Sequence, residues 1–396
     1  MFNAHTDMLI TSYSNFFNHH QKPVADEIFK ELGLNFTFVS TMDMPQSFKD
    51  AGYPDYSNVP YNLLSFENER NYLKAKELMM TSDVVIFGDA PYELVLPRIK
   101  QNKPILFTAE RFFKQGTYQN FDIRILWELY HSYTKYRKGN NYMLCSGAFT
   151  ANDLNWVFAF PNKKLKWGYF TSVDTLDVSK ILKQKNNKEF KILFIARHIK
   201  WKKPFLVLET ARKMHKLGME FTLEIIGSGE LNAALKQRVT EYGLEKQVQF
   251  LGNLPNGEVQ QKLRESHCVL LTSDRNEGWG AVANEAMANG CTIIGSNQIG
   301  SMPYLIRPRA NGLIFKSGSV KDLTKKVLLL YQNRELCKNL AVQAYRDIST
   351  TWSPENAAGE LIKVCRKIEK NNFRIEQGTN PCTEALATKF SWYKKK

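Results

Sequence analysis

Short apolar runs recur along this chain between longer stretches of mixed polarity, the pattern of an α/β protein whose strands are buried on both faces. In the first half the β-rich runs fall at residues 8–12, 35–40, 83–88, 142–146 and 165–169, with a further apolar run at 104–107. Residues 23–32 read as a helix opened by Pro23, since proline suits the first helical position, and 67–80 as another. In the second half, strand-like runs at 190–196, 223–226, 268–271 and 292–294 alternate with helical stretches at 258–266 and 281–289. Three more helices follow at 320–333, 334–347 and 354–370. The lysine-rich 180–188 reads as an exposed linker, which sets a domain boundary near residue 175. The expected organisation is an N-terminal domain at 1–175, a second at 176–355, and a 356–396 segment whose helix crosses back to the first domain and ends in a basic tail.

Residues 268–294 are the most informative. An apolar run, Cys268–Leu271, ends in a polar loop carrying Glu277, Gly278, Trp279 and Gly280. A helix-like segment with Glu285 follows, then the Gly290 stop and a β-rich run. That is strand, loop, helix, strand, with the loop at the carboxyl end of the first strand, where open α/β sheets bind ligands. Glu277 and Glu285 stand eight positions apart and both can face one cavity. Ionised carboxylates are pure acceptors, so such a pair suits the hydroxyls of a sugar or ribose. The plain alternative is a solvated loop glutamate and a glutamate on a helix surface.

Composition narrows the setting. The chain has 396 residues, 43% hydrophobic and 23% charged, enough for two domains with real cores. Its six cysteines show neither a Cys-x-x-Cys pair nor zinc-site spacing and read as reduced core thiols of a cytoplasmic protein. No apolar run is long enough to span a bilayer, and residues 1–14 lack a signal-peptide pattern. A net charge of +15 implies an anionic partner: nucleotide phosphates, an acidic membrane surface or nucleic acid.

The run EGWGAVANEAMANGCTII, residues 277–294, resembles the signature of group 1 (family 4) retaining glycosyltransferases of the GT-B fold. The resemblance is strong over 190–315 and weak before 170. It implies an α/β fold of two doubly wound Rossmann-like domains facing across a cleft, the first selecting the acceptor and the second binding a nucleotide diphosphate sugar. By resemblance, Glu277 contacts the donor sugar and Glu285 the ribose hydroxyls, with Gly278, Trp279 and Gly280 beside them in the donor-binding loop. Arg197 and Lys202 match the family's diphosphate clamp in spacing, with Ala196 in place of the usual glycine. Such cations stabilise the charge that grows on the leaving diphosphate. Gly227 and Gly229, in a turn before a helix, are expected to receive phosphate or the nucleoside, or simply to connect strand and helix. Leu251 stands at the strand end whose backbone meets the base in the family. Asn311 and Gly312 fit its Asn-Gly turn, while Ser301 and Tyr304 depart from its Gly-Gly-x-Pro-Glu loop.

The chain contains no Asp-x-Asp, the usual metal anchor of the other large glycosyltransferase fold, so no metal and no cofactor are expected. The loop at 13–22 lacks the family's adjacent glycines but offers His19 and His20 as acceptor or phosphate contacts, or as structural histidines. Glu110 lies near the position where many members place a sugar-binding histidine. Residues 111–142 are aromatic and basic, with Arg111, Lys114, Arg124, Lys135, Arg137 and Lys138 against Asp122 and Glu128. Ile125, Leu129 and Tyr133 recur there at intervals of four. The stretch reads either as a packed helix with a solvated basic end or as an amphipathic surface on an anionic membrane, and the resemblance favours the second.

The resulting expectation is a metal-independent, retaining hexosyltransferase of bacterial surface polysaccharide, lipopolysaccharide or glycolipid synthesis. It would act on a glycan or lipid-linked acceptor in the cytoplasm, peripherally on the inner face of the membrane. The rivals are a non-catalytic basic protein binding nucleic acid or a membrane surface, and a nucleotide-sugar epimerase of the same fold. No nucleic-acid-binding module is recognisable, so nucleic acid is not an expected partner.

Overall fold

The computed structural model describes residues 8–50, 52–114, 122–173, 177–186, 189–370 and 372–394. By internal packing the chain divides into unit 1, Met1–Thr171 with Thr351–Ala387, and unit 2, Ser172–Thr350 with Thr388–Lys396. The expected boundary near 175 lies outside the described residues, as does part of the aromatic, basic stretch at 111–142.

Unit 1 is built on a sheet of β1 (Ile10–Ser14), β2 (Phe36–Ser40), β3 (Asn62–Leu64), β4 (Val84–Phe87), β5 (Ile105–Ala109), β6 (Asn141–Ser146) and β7 (Lys164–Trp167). Their order is β3-β2-β1-β4-β5-β6-β7, and every pairing is parallel, with Tyr13 opposite both Val39 and Phe87. Strand sequences such as VVIF leave no polar face, so helices must cover both sides. The helix Lys22–Leu32 buries Val24, Ala25, Ile28 and Leu32 and packs against the helix Pro354–Glu369. The latter is capped by Ser353 and buries Leu361, Ile362, Cys365 and Ile368. Beyond it, Lys166 N–H donates to Thr383 O (2.7 Å) and Ala385 N–H to Lys164 O (2.9 Å), so this segment covers the free edge of β7.

Unit 2 holds β8 (Phe190–Ile195), β9 (Phe221–Ile226), β10 (Val248–Gly252), β11 (Cys268–Leu271), β12 (Thr292–Ser296) and β13 (Leu313–Phe315), ordered β10-β9-β8-β11-β12-β13 and again parallel. Its core gathers Phe190, Phe194, Phe221, Leu270 and Phe315 with the helices Pro204–Lys216 and Val320–Gln332.

One expectation is corrected. The lysine-rich stretch is no linker: Val178–Asn186 is a helix, and Lys185 is 5% exposed. Its ammonium donates to Gly290 O (2.8 Å) and Leu263 O (3.4 Å), carbonyls at the ends of two helices where partial negative charge collects. The long apolar stem of lysine makes this burial feasible once those acceptors exist. The end of the tail, Thr388–Lys396, belongs to a different unit from the crossing helix. Phe390 O accepts from Asn297 Nδ2 (2.7 Å) and Trp392 Nε1 donates to Asn297 O (3.1 Å), which docks this part of the tail on unit 2. The helix Tyr92–Lys100 escapes sequence reading because Pro97 interrupts its pattern. Arg98 holds it in place by donating to Met79 O, Pro104 O and Asp83 O at 2.7–3.0 Å.

Candidate active site

In unit 2 the strand order reverses between β8 and β11, and a crevice opens at such a switch point because neighbouring loops leave in opposite directions. Arg197, His198 and the turn Lys200–Lys202 follow β8, and residues 272–281 follow β11. The two loops are laced together. Thr272 Oγ1 donates to Lys202 O (2.6 Å), Asp274 N–H donates to Trp201 O (3.0 Å), and Lys203 Nζ lies 3.6 Å from Asp274.

Within this frame Lys202 is paired with Glu277, their side chains 18% and 14% exposed. Glu277 Oε2 also accepts from Ser273 Oγ (2.9 Å). Its Oε1 accepts no bond from the described residues, so one oxygen is open to a hydroxyl donor. The Lys202 ammonium rests 4.4 Å from the Trp201 ring centroid, a second contact that orients it. Arg197 is exposed, with neither ion pair nor side-chain hydrogen bond among the described residues.

Glu285 lies in the helix Val282–Ala288, half-buried. Burial pushes its carboxyl up to about 7, and no group among the described residues donates to it. A carboxylate left this way gains most from a ligand that brings donors. Trp279 is fully buried and its indole N–H is used on Asn284 Oδ1 (2.8 Å), so this side chain packs the loop from beneath. Gly280 has φ +89°, and a Cβ there would stand 3.3 Å from Glu277 Cγ, so the absent side chain leaves that glutamate its position. Gly278 is buried beside it, and Leu251 is half-buried near the end of β10.

Gly227 and Gly229 have φ +118° and +157°. A Cβ on the first would come within 2.0 Å of Ala196 O, and on the second within 2.7 Å of His198 O. The glycines therefore let the loop after β9 press on the loop after β8. Sequence reasoning missed His198, 1% exposed, whose Nδ1 meets Asn232 Oδ1 and whose Nε2 is buried without a partner. It also missed Ser273 and Thr272, although hydroxyl residues directly after a strand that ends at a ligand crevice are a usable signal.

His19, His20 and Glu110 belong to unit 1, apart from the residues just described. A pocket of about 890 Å³ lies at the carboxyl ends of β1, β4, β5 and β6, around the β1/β4 switch point, and His20 and Glu110 line it. The His20 ring stacks on Tyr169 (centroids 4.7 Å apart), and Tyr169 Oη donates to Glu110 Oε1 (2.7 Å). Glu110 Oε2 accepts from Lys114 Nζ (2.7 Å). Burial holds His20 neutral, at about 3, with the neighbouring His19 adding to the effect, and burial lowers His19 as well. The His19 ring lies tilted against that of His20 (centroids 3.8 Å apart) and is not among the lining residues.

On the helix Ile123–Ser132, Leu129 is buried and Ile125 half-buried, while Ile123, Trp127 and Tyr130 are 79%, 62% and 52% exposed. No helix among the described residues is long and apolar enough to cross a membrane.

Residues 179–347 match the family model described as glycosyl transferases group 1. The amylovoran biosynthesis glycosyltransferase AmsK of Erwinia amylovora is 27% identical over 187 residues, 46% of this chain and 46% of that protein. The chain thus spans between about a third and half of the length of the curated relatives it matches. Among solved structures it is similar to Anabaena Alr3699/HepE in complex with UDP (TM-score 0.68, 14% identity, 91% of this chain and 100% of that one). A glycosyltransferase from Rickettsia africae is similar too (TM-score 0.66, 15% identity, 93% and 100%). The fold is the two-domain α/β fold of the GT-B glycosyltransferases.

Proposed function

We propose that this protein is a glycosyltransferase that moves a sugar from a nucleotide diphosphate sugar, held by unit 2, to a hydroxyl of an acceptor held by unit 1. The observation that carries the reading is the cluster at the β8/β11 switch point, where Lys202, Glu277 and Ser273 meet, with an exposed Arg197 on the same loop after β8. It lies inside the stretch that matches the group 1 model. Glu285 adds a half-buried carboxyl with no donor of its own, suited to a ribose diol.

In this reading Glu277 Oε1 accepts a hydroxyl of the donor sugar while Oε2 keeps Lys202 in place. The bond from the anomeric carbon to the diphosphate oxygen breaks, and Arg197 and Lys202 stabilise the electron pair left on that oxygen. The acceptor oxygen bonds to the anomeric carbon from the same face and passes its proton to the departing phosphate, so the configuration is retained without a covalent sugar-enzyme intermediate. Two cations at the leaving group make a divalent metal unnecessary, and turnover is expected to survive a chelator.

The transferred unit is proposed to be a hexose, and the product a bacterial surface polysaccharide, lipopolysaccharide or glycolipid, made at the cytoplasmic face of the membrane. The amylovoran relative supports that direction. Exposed Ile123, Trp127 and Tyr130 beside Arg124 support peripheral contact with an anionic bilayer. Vesicles of phosphatidylglycerol are expected to bind the protein and those of phosphatidylcholine not, with Trp127→Ser weakening the difference.

The reading is tested by thermal stabilisation with UDP, GDP, ADP, CMP and their common sugars. One diphosphate is expected to raise the melting temperature, with the shift lost in Arg197→Ala and Glu285→Ala. No shift with any of them in folded protein would refute donor binding. A product formed from the donor without acceptor would point to epimerisation.

A further inference from the structure

The chain carries a net charge of +15, yet the lining of the unit 1 pocket is acidic. Asp89, Glu110 and Glu128 line it, Glu110 being paired with Lys114 Nζ (2.7 Å), and among the described lining residues Arg111 alone is a lysine or arginine. That guanidinium is 5% exposed and lies 3.3 Å from Asp153, a charge partner within unit 1. His20 contributes no charge, because burial keeps its imidazole neutral. A basic protein has thus placed carboxylates, rather than its abundant lysines, around this hollow.

The carboxylates still have acceptor capacity. Asp89 is exposed and takes one bond, from Asn15 Nδ2 (2.9 Å) to Oδ2. Glu128 is exposed and makes no hydrogen bond or ion pair among the described residues. Both act on Tyr133, which lines the same pocket and whose hydroxyl is pushed up to about 12, first by burial and then by these two negative charges. Both charges therefore lie near Tyr133 in the pocket lining. Around them are ring faces, Phe16, Phe112, Trp167 and Tyr169. A volume of about 890 Å³ lies within the range of small-molecule sites. Ring faces receive the apolar C–H face of a sugar, and carboxylates receive its hydroxyls.

We propose that this pocket takes a sugar unit carrying no negative charge, whose hydroxyls donate to Asp89, Glu110 and Glu128, and that it turns away phosphorylated and carboxylated sugars. The proposal rests on the glycosyltransferase reading and defines its acceptor class: the basic surface of the protein is no guide to the acceptor, because the pocket has the opposite sign. Like charges repel, and because Asp89 and Glu128 are exposed to solvent this exclusion should be strongest at low salt.

Saturation-transfer NMR on the full chain with UDP present tests it. The probes are methyl α-D-glucopyranoside, glucosamine, glucose 6-phosphate and glucuronic acid. The first two are expected to bind and the last two not. The double substitution Asp89→Asn with Glu128→Gln, at exposed positions where folding is verified by circular dichroism, is expected to improve anion binding relative to neutral sugar about tenfold at low salt. Equal binding of charged and neutral sugars by the unaltered protein overturns the proposal. So does an unchanged ratio in the double variant, or no binding of any probe. UDP binding is read separately, through unit 2: protein that ranks the sugars as stated but takes up no nucleotide refutes the donor reading and keeps the assignment of the pocket.

Discussion

At Glu285, burial of a carboxyl has a cost that depends on pH. Its carboxyl is raised from 4.5 to about 7, so between those values the folded chain holds a proton that the unfolded chain has released. Stability therefore falls as pH rises through that window, by up to about 3 kcal/mol. Glu285→Gln removes the ionisation and is expected to resist urea better than the parent at pH 8, with the advantage vanishing near pH 4. An equal advantage at both would show that burial of the charge is not the cause. Ribose hydroxyls favour the ionised form, so nucleotide affinity should weaken as pH falls below about 7. The two cations should separate in a different way. Lys202→Ala strips Glu277 of its partner and should lower both stability and turnover, whereas Arg197→Ala, at an exposed side chain without a partner among the described residues, should spare the melting temperature. Each should cost roughly 3 to 4 kcal/mol of barrier, read as kcat with saturating donor.

The elements of the site are held by loops that tolerate little change. At Gly227, φ is +118° and a Cβ would overlap the backbone carbonyl of Ala196, which no rotamer change can relieve. Gly227→Ala is expected to lose at least about 3 kcal/mol in urea unfolding and to disturb nucleotide binding. Gly257, in the helix Asn256–Glu265, meets nothing within 4 Å, and its alanine variant should gain about 0.5–1 kcal/mol. If both variants behaved alike, close approach of the loops would not be the reason for the first glycine. The helix Val178–Asn186 teaches the same lesson from the side of polarity. Its lysines look like a solvated run, but Lys185 ends two other helices from inside the unit.

For the whole molecule, the consequential feature is that each unit is made from two separate pieces of chain. Thr351–Ala387 belongs to unit 1 although it follows all six strands of unit 2. Removing residues 351–396 should uncover the apolar face of Lys22–Leu32 and lower the stability of unit 1, while the strands and loops of the proposed donor site in unit 2 remain. Nucleotide should then still stabilise unit 2, by about 2.7 kcal/mol at a hundredfold excess over Kd. Calorimetry with and without UDP checks this. Loss of the nucleotide response in the truncated chain would mean that the tail residues 388–394, bound to Asn297, are needed for the donor loop.

Periodicity and the run at 277–294 were enough to reveal a two-sheet α/β protein and the stretch that matches a group 1 glycosyl transferase, because buried parallel strands and glycine-dependent turns leave local marks. The placing of Glu277 and Glu285 within one strand-loop-helix unit was legible for the same reason. The sequence could not reveal that Ser273 and Lys202 share one oxygen of Glu277, that Glu285 is left without a donor, or that Lys185 is buried. These depend on groups brought together by folding from distant parts of the chain. The sign of the unit 1 pocket is the clearest case. Net charge is a sum over all residues and is plain in the sequence, but Asp89, Glu110 and Glu128 come from three different loops and helices, and only the order of the strands sets them around one hollow.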